Sequence, residues 1–115
     1  MSQTNVIILR IKADRADDFE RMFREEEVPI WEDFAQRGKL LAGSLTRVRF
    51  GSEEEGQREK GIVEYALVAV LADMAAHGEH DDDPRFKSFL RKARRLQPEG
   101  PLVFGGNTTV GKNWP

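Results

Sequence analysis

The chain contains no cysteine. That excludes disulfides, thiolate zinc sites and cysteine nucleophiles. It has no apolar run near the ~18–20 residues that a membrane-spanning helix needs. The apolar stretch Val6–Leu9 is too short for the core of a signal peptide, so a cytoplasmic location is the default expectation. Charge of one sign is also lacking. Eighteen Lys and Arg stand against 20 Asp and Glu, a net charge of −2, whereas a nucleic-acid module is normally basic. What remains is 115 residues, 39% hydrophobic and 33% charged. This is the balance of an ordinary soluble domain, taken here as one unit over residues 1–115.

The apolar pattern predicts the elements. Val6 to Ile11 is an almost continuous β-branched run, so both faces of that strand should be covered. Asp14 reads as an N-cap. Apolar residues then recur at Ala16, Phe19, Phe23, Ile30 and Phe34, a helical stripe interrupted at Pro29. A proline biases the preceding residue away from helix, which predicts a helix over 14–27, a break, and a short helix over 29–37 stopped by Gly38. Leu40 to Phe50 alternates as a strand, with Leu41, Gly43, Leu45 and Arg47 on one face. The polar segment 51–60 reads as a long hairpin loop, and Ile62 to Leu71 as the strongest strand. Asp73 caps a one-turn helix, Met74 to His77, closed by Gly78. The acidic run Glu79 to Asp83 is then a solvated loop. Asp83-Pro84 opens a last helix, whose buried stripe is Phe86, Phe89, Leu90, Ala93 and Leu96. Leu102 to Val110 forms the final strand.

The order β-α-β-β-α-β is the split βαβ pattern. It predicts an α+β, ferredoxin-like fold: a four-stranded antiparallel sheet with the helices on one face. The strands are apolar on both faces while the helices cover one. The expected remedy is a homodimer packed sheet to sheet.

With that order, the entries Asp14-Arg15-Ala16-Asp17-Asp18-Phe19 and His80-Asp81-Asp82-Asp83-Pro84-Arg85-Phe86 make the chain resemble the dimeric α+β barrel superfamily over residues 4–112. That superfamily includes cofactor-independent antibiotic-biosynthesis-type monooxygenases, stress-responsive A/B-barrel proteins, EthD-like proteins and haem-degrading enzymes. The resemblance implies a small-molecule enzyme that acts on a small apolar or aromatic substrate in a pocket between helices and sheet, with no cofactor. The substrate, as phenolate or carbanion, would supply electrons to oxygen. The alternative is a non-catalytic ligand-binding or stress-response dimer of the same fold.

The candidate residues follow from this frame. His80 is the candidate base, since an imidazole titrates near neutrality. Trp31, Tyr65 and Asn107 are candidate positioning donors. Glu26, Phe34, Arg47 and Phe104 are candidate ligand-binding residues. In the pair Glu26-Glu27, the stripe directs one carboxylate inward beside Pro29, where burial would raise its pKa; the competing reading sends both to water. His77, Glu79, His80 and Asp81 are metal-ligand types, but no further ligand is identifiable, and the reading assigns no metal. Arg91, Lys92, Arg94 and Arg95 read as a solvated helix face. A haem-degrading variant would use an Asn, Trp and His set, for which Asn5, Trp31 and His80 can be named. Trp31, however, lies on the first helix, away from the place that branch gives its Trp. Trp114 at the C-terminus reads as loose or docked on a partner subunit.

Overall fold

In the computed structural model, which describes residues 1–52 and 61–112, the chain runs β1 (Gln3–Lys12), α1 (Ala16–Met22), a π-helical turn (Phe23–Glu27), α2 (Val28–Gln36), β2 (Leu40–Arg47), β3 (Ile62–Leu71), α3 (Met74–Asp82), α4 (Pro84–Arg94) and β4 (Leu102–Asn107). The four strands form one antiparallel sheet in the order β2-β3-β1-β4, and the α+β, ferredoxin-like architecture is as the pattern predicts. Most of the expected 51–60 loop, and Trp114, lie outside the described residues.

The period-2 alternation of the strands sorts their side chains by face. Leu9 pairs with Tyr65 and Ile11 with Val63. This face meets Phe19 and Phe23 from the first helix and Phe89, Ala93 and Leu96 from the end of the chain's last helix, the main core. A second cluster joins Ile30, Phe34, Leu40, Leu71 and Ala76. Burying each large apolar side chain contributes roughly 1.5–3 kcal/mol. The opposite face carries Val6, Ile8, Val68 and Phe104, with Val6 opposite both Val68 and Phe104. None of these is buried, and Phe104 is 59% exposed.

Several local expectations are corrected. First, Pro29 does not break the first helix. Val28 keeps helical dihedrals, and its N–H reaches back five residues to the Phe23 carbonyl. The π turn inserts one residue just before the proline ring, loosening the turn that the ring would otherwise crowd. Second, Asp14 caps nothing. It sits inside a 3-10 turn, Ala13–Arg15, and α1 starts at Ala16 without a side-chain cap. Third, α3 runs through Gly78 to Asp82, so the acidic stretch is helical rather than a loop. Helix contacts override the ~1 kcal/mol weakness of a helical glycine. Fourth, an irregularity between Leu40 and Ala42 resets the phase of β2. Leu40 is buried and Leu41 is exposed, while Gly43, Leu45 and Arg47 stay on the helix-facing side opposite Ala69, Leu67 and Tyr65. The final strand is also shorter than expected, ending at Asn107.

Candidate functional site

A cleft of about 260 Å³ opens between the first helix and the β2–β3 edge of the sheet. Its helix wall is Glu20, Phe23, Arg24, Val28 and Trp31, and its sheet wall is Gly43, Ser44, Leu45, Arg47 and Tyr65. Each wall follows from a periodicity. Glu20, Phe23, Arg24, Val28 and Trp31 recur at helical spacing. Gly43, Leu45 and Arg47 share one strand face.

The indole of Trp31 lies flat against Gly43. A Cβ at position 43 would sit 2.7 Å from the Trp31 ring, too close for any side chain. Glycine inside a strand marks such a close approach. Trp31 also meets Phe23 edge-on, with centroids 5.2 Å apart, a favourable aromatic geometry.

The polar side of the cleft is a small network. Tyr65 donates its hydroxyl hydrogen to Glu20 Oε2 at 2.6 Å. Arg47 donates to the same carboxylate through Nε at 2.9 Å and through a second, very close nitrogen contact. It also reaches Asp17 at 3.2 Å. The Tyr65 hydrogen bond, then Arg47, hold the Glu20 pKa below the usual carboxylate value. Burial, reinforced by the Glu20 carboxylate, pushes the Tyr65 phenol well above its ordinary range. Arg24 is tied far more loosely. Among the described residues it pairs only with Glu20 Oε1, at 3.8 Å, and its side chain is 74% exposed.

On the other side of the first helix lies a second polar feature. His80 Nε2 and Glu27 Oε1 are 2.6 Å apart, with both residues largely withdrawn from water. Phe86 stacks obliquely on the imidazole at 4.3 Å, and Phe34 meets it edge-on at 5.7 Å. Glu27 is 3% exposed, and its Oε2 has no hydrogen-bond partner among the described residues. Burial raises the Glu27 pKa, against the lowering influence of His80 and, more weakly, of the Trp31 indole. Burial alone would lower His80, but its contacts with Glu27 and Asp81 outweigh that and raise it. The pair therefore holds a shared proton tightly.

A third polar group sits where β1 passes under α3. Gln3 and Asn5 are buried. Asn5 Nδ2 donates to Gln3 Oε1 at 3.3 Å and to the Ala69 carbonyl at 3.4 Å. Gln3 Oε1 also lies 2.6 Å from His77 Nδ1, and His77 Nε2 lies 2.9 Å from Asp81.

The structure thus brings Trp31, Tyr65 and Arg47 into one cleft. It places His80 behind them against Glu27, and Phe34 beside His80 in the second core cluster. Glu26 faces out and pairs with Lys92 at 2.9 Å; the inward carboxylate is Glu27. Phe104 and Asn107 are exposed on β4, Phe104 on the face away from the helices. His77 and His80 both contact Asp81, at 2.9 and 3.3 Å, whereas Glu79 turns away. Glu79 bonds Lys39 and Arg37, and among the described residues no three such side chains are placed to hold a metal ion. Asn5 and His80 do not meet; they are linked through Gln3, His77 and Asp81.

No family model and no curated protein matches the sequence. Solved structures do. A variant of SnoaB, a cofactor-independent oxygenase from Streptomyces nogalater, superposes with a TM-score of 0.68 over 96% of this chain and 95% of its own, at 18% identity. Rv0793 from Mycobacterium tuberculosis gives 0.70 over 98% and 100%, at 11% identity. An antibiotic biosynthesis monooxygenase gives 0.65 over 96% and 100%, at 19% identity. The fold is that of the antibiotic biosynthesis monooxygenase-like proteins.

Within this monooxygenase-like fold, sequence reading passed over Glu20, Arg24 and Gly43, and did not separate Glu27 from Glu26. Glu20 carries a faint signal, three residues before Phe23 and one after Phe19, on the edge of the apolar stripe. Gly43 carries a better one, because an isolated glycine in a strand announces a close neighbour. Glu27 depends on the π turn. That turn is wider than an α turn, so the residue four beyond Phe23 stays on the buried face and the residue three beyond swings out.

Proposed function

We propose that the protein is a small-molecule enzyme of the cofactor-independent monooxygenase type, that its substrate is a small apolar or aromatic molecule, and that the cleft beside Trp31 receives it. The observation that carries this reading is the cleft itself: an aromatic wall formed by Trp31 and Phe23, faced by the Tyr65–Glu20–Arg47 network. An apolar pocket with a few fixed polar groups is the usual form of a small-molecule site. The likeness to SnoaB, itself a cofactor-independent oxygenase, supports the reaction class.

In this reading the chain needs no cofactor. Trp31 and Phe23 take up the flat face of the substrate and exclude water from it. Arg47 and Tyr65 hold the Glu20 carboxylate in one orientation, where it accepts a hydrogen bond from a substrate hydroxyl. Tyr65 spends its own hydrogen on Glu20 and so acts as a fixed support. The substrate, as phenolate or carbanion, delivers its electrons to oxygen. His80, paired with Glu27, stands behind Trp31 and shapes the site through the helix rather than by touching substrate.

The working unit is a homodimer joined through the open sheet face. Val6, Ile8, Val68 and Phe104 form an apolar surface there, and a second copy covers it at least cost.

Oxygen consumption is the test. One- and two-ring phenols and hydroxyquinones are offered to the purified protein in an oxygen electrode, without flavin or metal. Uptake that Trp31→Ala abolishes supports the enzyme. Saturable binding without uptake for every compound refutes it and leaves the ligand-binding alternative.

A further inference from the structure

We propose that the cleft is selective for a planar one- or two-ring aromatic bearing a negatively charged oxygen, with the ring on Trp31 and the anionic oxygen on Arg24. The reaction assigned above gains its substrate class from this inference; the binding claim stands without it.

Three features carry the assignment. The first is size and shape. About 260 Å³ lies below the roughly 300–1,000 Å³ of sites for drug-sized ligands. The Trp31 indole offers a flat wall, seated against the bare backbone of Gly43. A flat ring fills such a slot, and a bulky saturated group does not.

The second is the balance of charge. The lining holds one carboxylate, Glu20, and two guanidinium groups, Arg24 and Arg47. Arg47 and Tyr65 both bond Glu20 Oε2, and Arg47 is further engaged by Asp17. Arg24, whose one acidic partner among the described residues lies 3.8 Å away, keeps its donors for a newcomer. A guanidinium group matches the two oxygens of a carboxylate.

The third is the lack of a strong base among the lining residues. Glu20 is the single carboxylate there, and Tyr65 and Arg47 lower its pKa. A general base works best with a pKa near the working pH. A ligand that arrives ionised requires none.

The test is calorimetric, with 2-naphthoate and its neutral isostere 2-naphthamide. The amide's –CONH2 replaces the carboxylate at nearly constant shape. Naphthoate is expected to bind about tenfold more tightly, the worth of one charged hydrogen bond. Arg24→Gln, at a largely exposed position, removes that difference and leaves the amide affinity unchanged. Gly43→Ala forces the indole off its seat, weakens both probes about tenfold and preserves their ratio. Naphthoate binding also shifts the Trp31 indole N–H resonance, identified by its disappearance in Trp31→Phe.

Equal affinities for the two probes overturn the proposal, as does an Arg24→Gln variant that keeps the preference. Binding that leaves the Trp31 resonance unmoved overturns the location. The two readings fail separately. Arg24-dependent naphthoate binding with no oxygen uptake from any aromatic refutes the oxygenase and supports this inference. Uptake from neutral substrates, insensitive to Arg24→Gln, supports the oxygenase and overturns the anion preference.

Discussion

Replacing Glu27 with glutamine should reverse the pH dependence that the His80–Glu27 pair imposes on stability. In the native chain both groups are shifted upward. The folded state therefore binds more protons than the unfolded chain. Stability falls as pH rises wherever that is so. The decline begins near the ordinary Glu value of 4.5, steepens above the ordinary His value of 6.5, and ends once pH passes the raised value of His80. Glu27→Gln keeps the shape and the burial but removes the anion. Burial, the largest influence on His80, then dominates; Asp81, at 3.3 Å and half exposed, is too weak to replace Glu27. The His80 pKa drops below 6.5, the folded state binds fewer protons, and stability rises with pH up to that value.

The size of the effect follows from the contact. At pH 5.5 His80 is protonated and its bond to Glu27 is charge-assisted, worth about 2 kcal/mol. For a chain of this length that corresponds to a fall in Tm of roughly 8 °C. Once pH has passed the raised value of His80 the imidazole gives up its proton, and the cost of the substitution shrinks to about 0.5–1 kcal/mol. Thermal melts of both proteins are recorded from pH 5 to pH 8.5 at one protein concentration, because the Tm of the proposed dimer would depend on concentration. Parallel curves, with a constant gap between native and variant, would refute the assignment of a buried, proton-sharing pair.

Further substitutions separate the two faces of the sheet and test local supports. Leu67 faces the core, so Leu67→Asp should lose cooperative unfolding, read by circular dichroism. Val68, its neighbour on the open face, should tolerate Val68→Asp as a folded monomer, read by light scattering after size exclusion; a folded variant that keeps the native mass contradicts the dimer face. Asp83 accepts the Arg85 N–H at 2.8 Å as the cap of α4, and Asp83→Ala should cost about 1 kcal/mol in urea denaturation. Tyr65→Phe removes the hydrogen bond at 2.6 Å to Glu20; Glu20 should then titrate closer to its usual value in carbon-13 NMR.

The layers of this fold were legible because period and punctuation agree. The β-branched run at Val6–Ile11 and the apolar run at Ile62–Leu71 admit no helical period. Asp83-Pro84 sets the start of α4 in the residues that bound it. Legibility failed where one residue type answered to two demands. Pro29 announces a break in any local reading, yet a chain that can insert one residue accommodates it within a continuous helix. Gly78 announces a stop, yet α3 has contacts enough to pass it. Neither the π turn nor the phase reset at Leu40–Ala42 leaves a compositional trace. Both arise from fitting a helix or strand to neighbours distant in sequence.

The candidate site failed to be legible for the same reason, with larger consequences. Trp31, Tyr65 and Arg47 stood out by residue type, because buried indole and phenol groups demand partners. What they demanded was supplied by residues with no such mark: a surface-looking Glu20 for Tyr65 and a bare Gly43 for Trp31. The choice between Glu26 and Glu27 shows how the fold connects these places. One extra residue in the helix sends Glu26 out to Lys92 and turns Glu27 in to His80. The same turn sets the helical phase of Trp31, four residues further on, and so the wall of the cleft. The proton-sharing pair and the aromatic wall are therefore two outcomes of one backbone irregularity. Removing Pro29, the residue that the irregularity accommodates, should disturb both together. Pro29→Ala restores an N–H and lets the α-helical hydrogen bond compete with the π turn. If the turn reverts, the Trp31 indole resonance and the His80 titration both move. If the His80 titration moves while the Trp31 resonance stays fixed, the two sites are independent and the link through the helix is refuted.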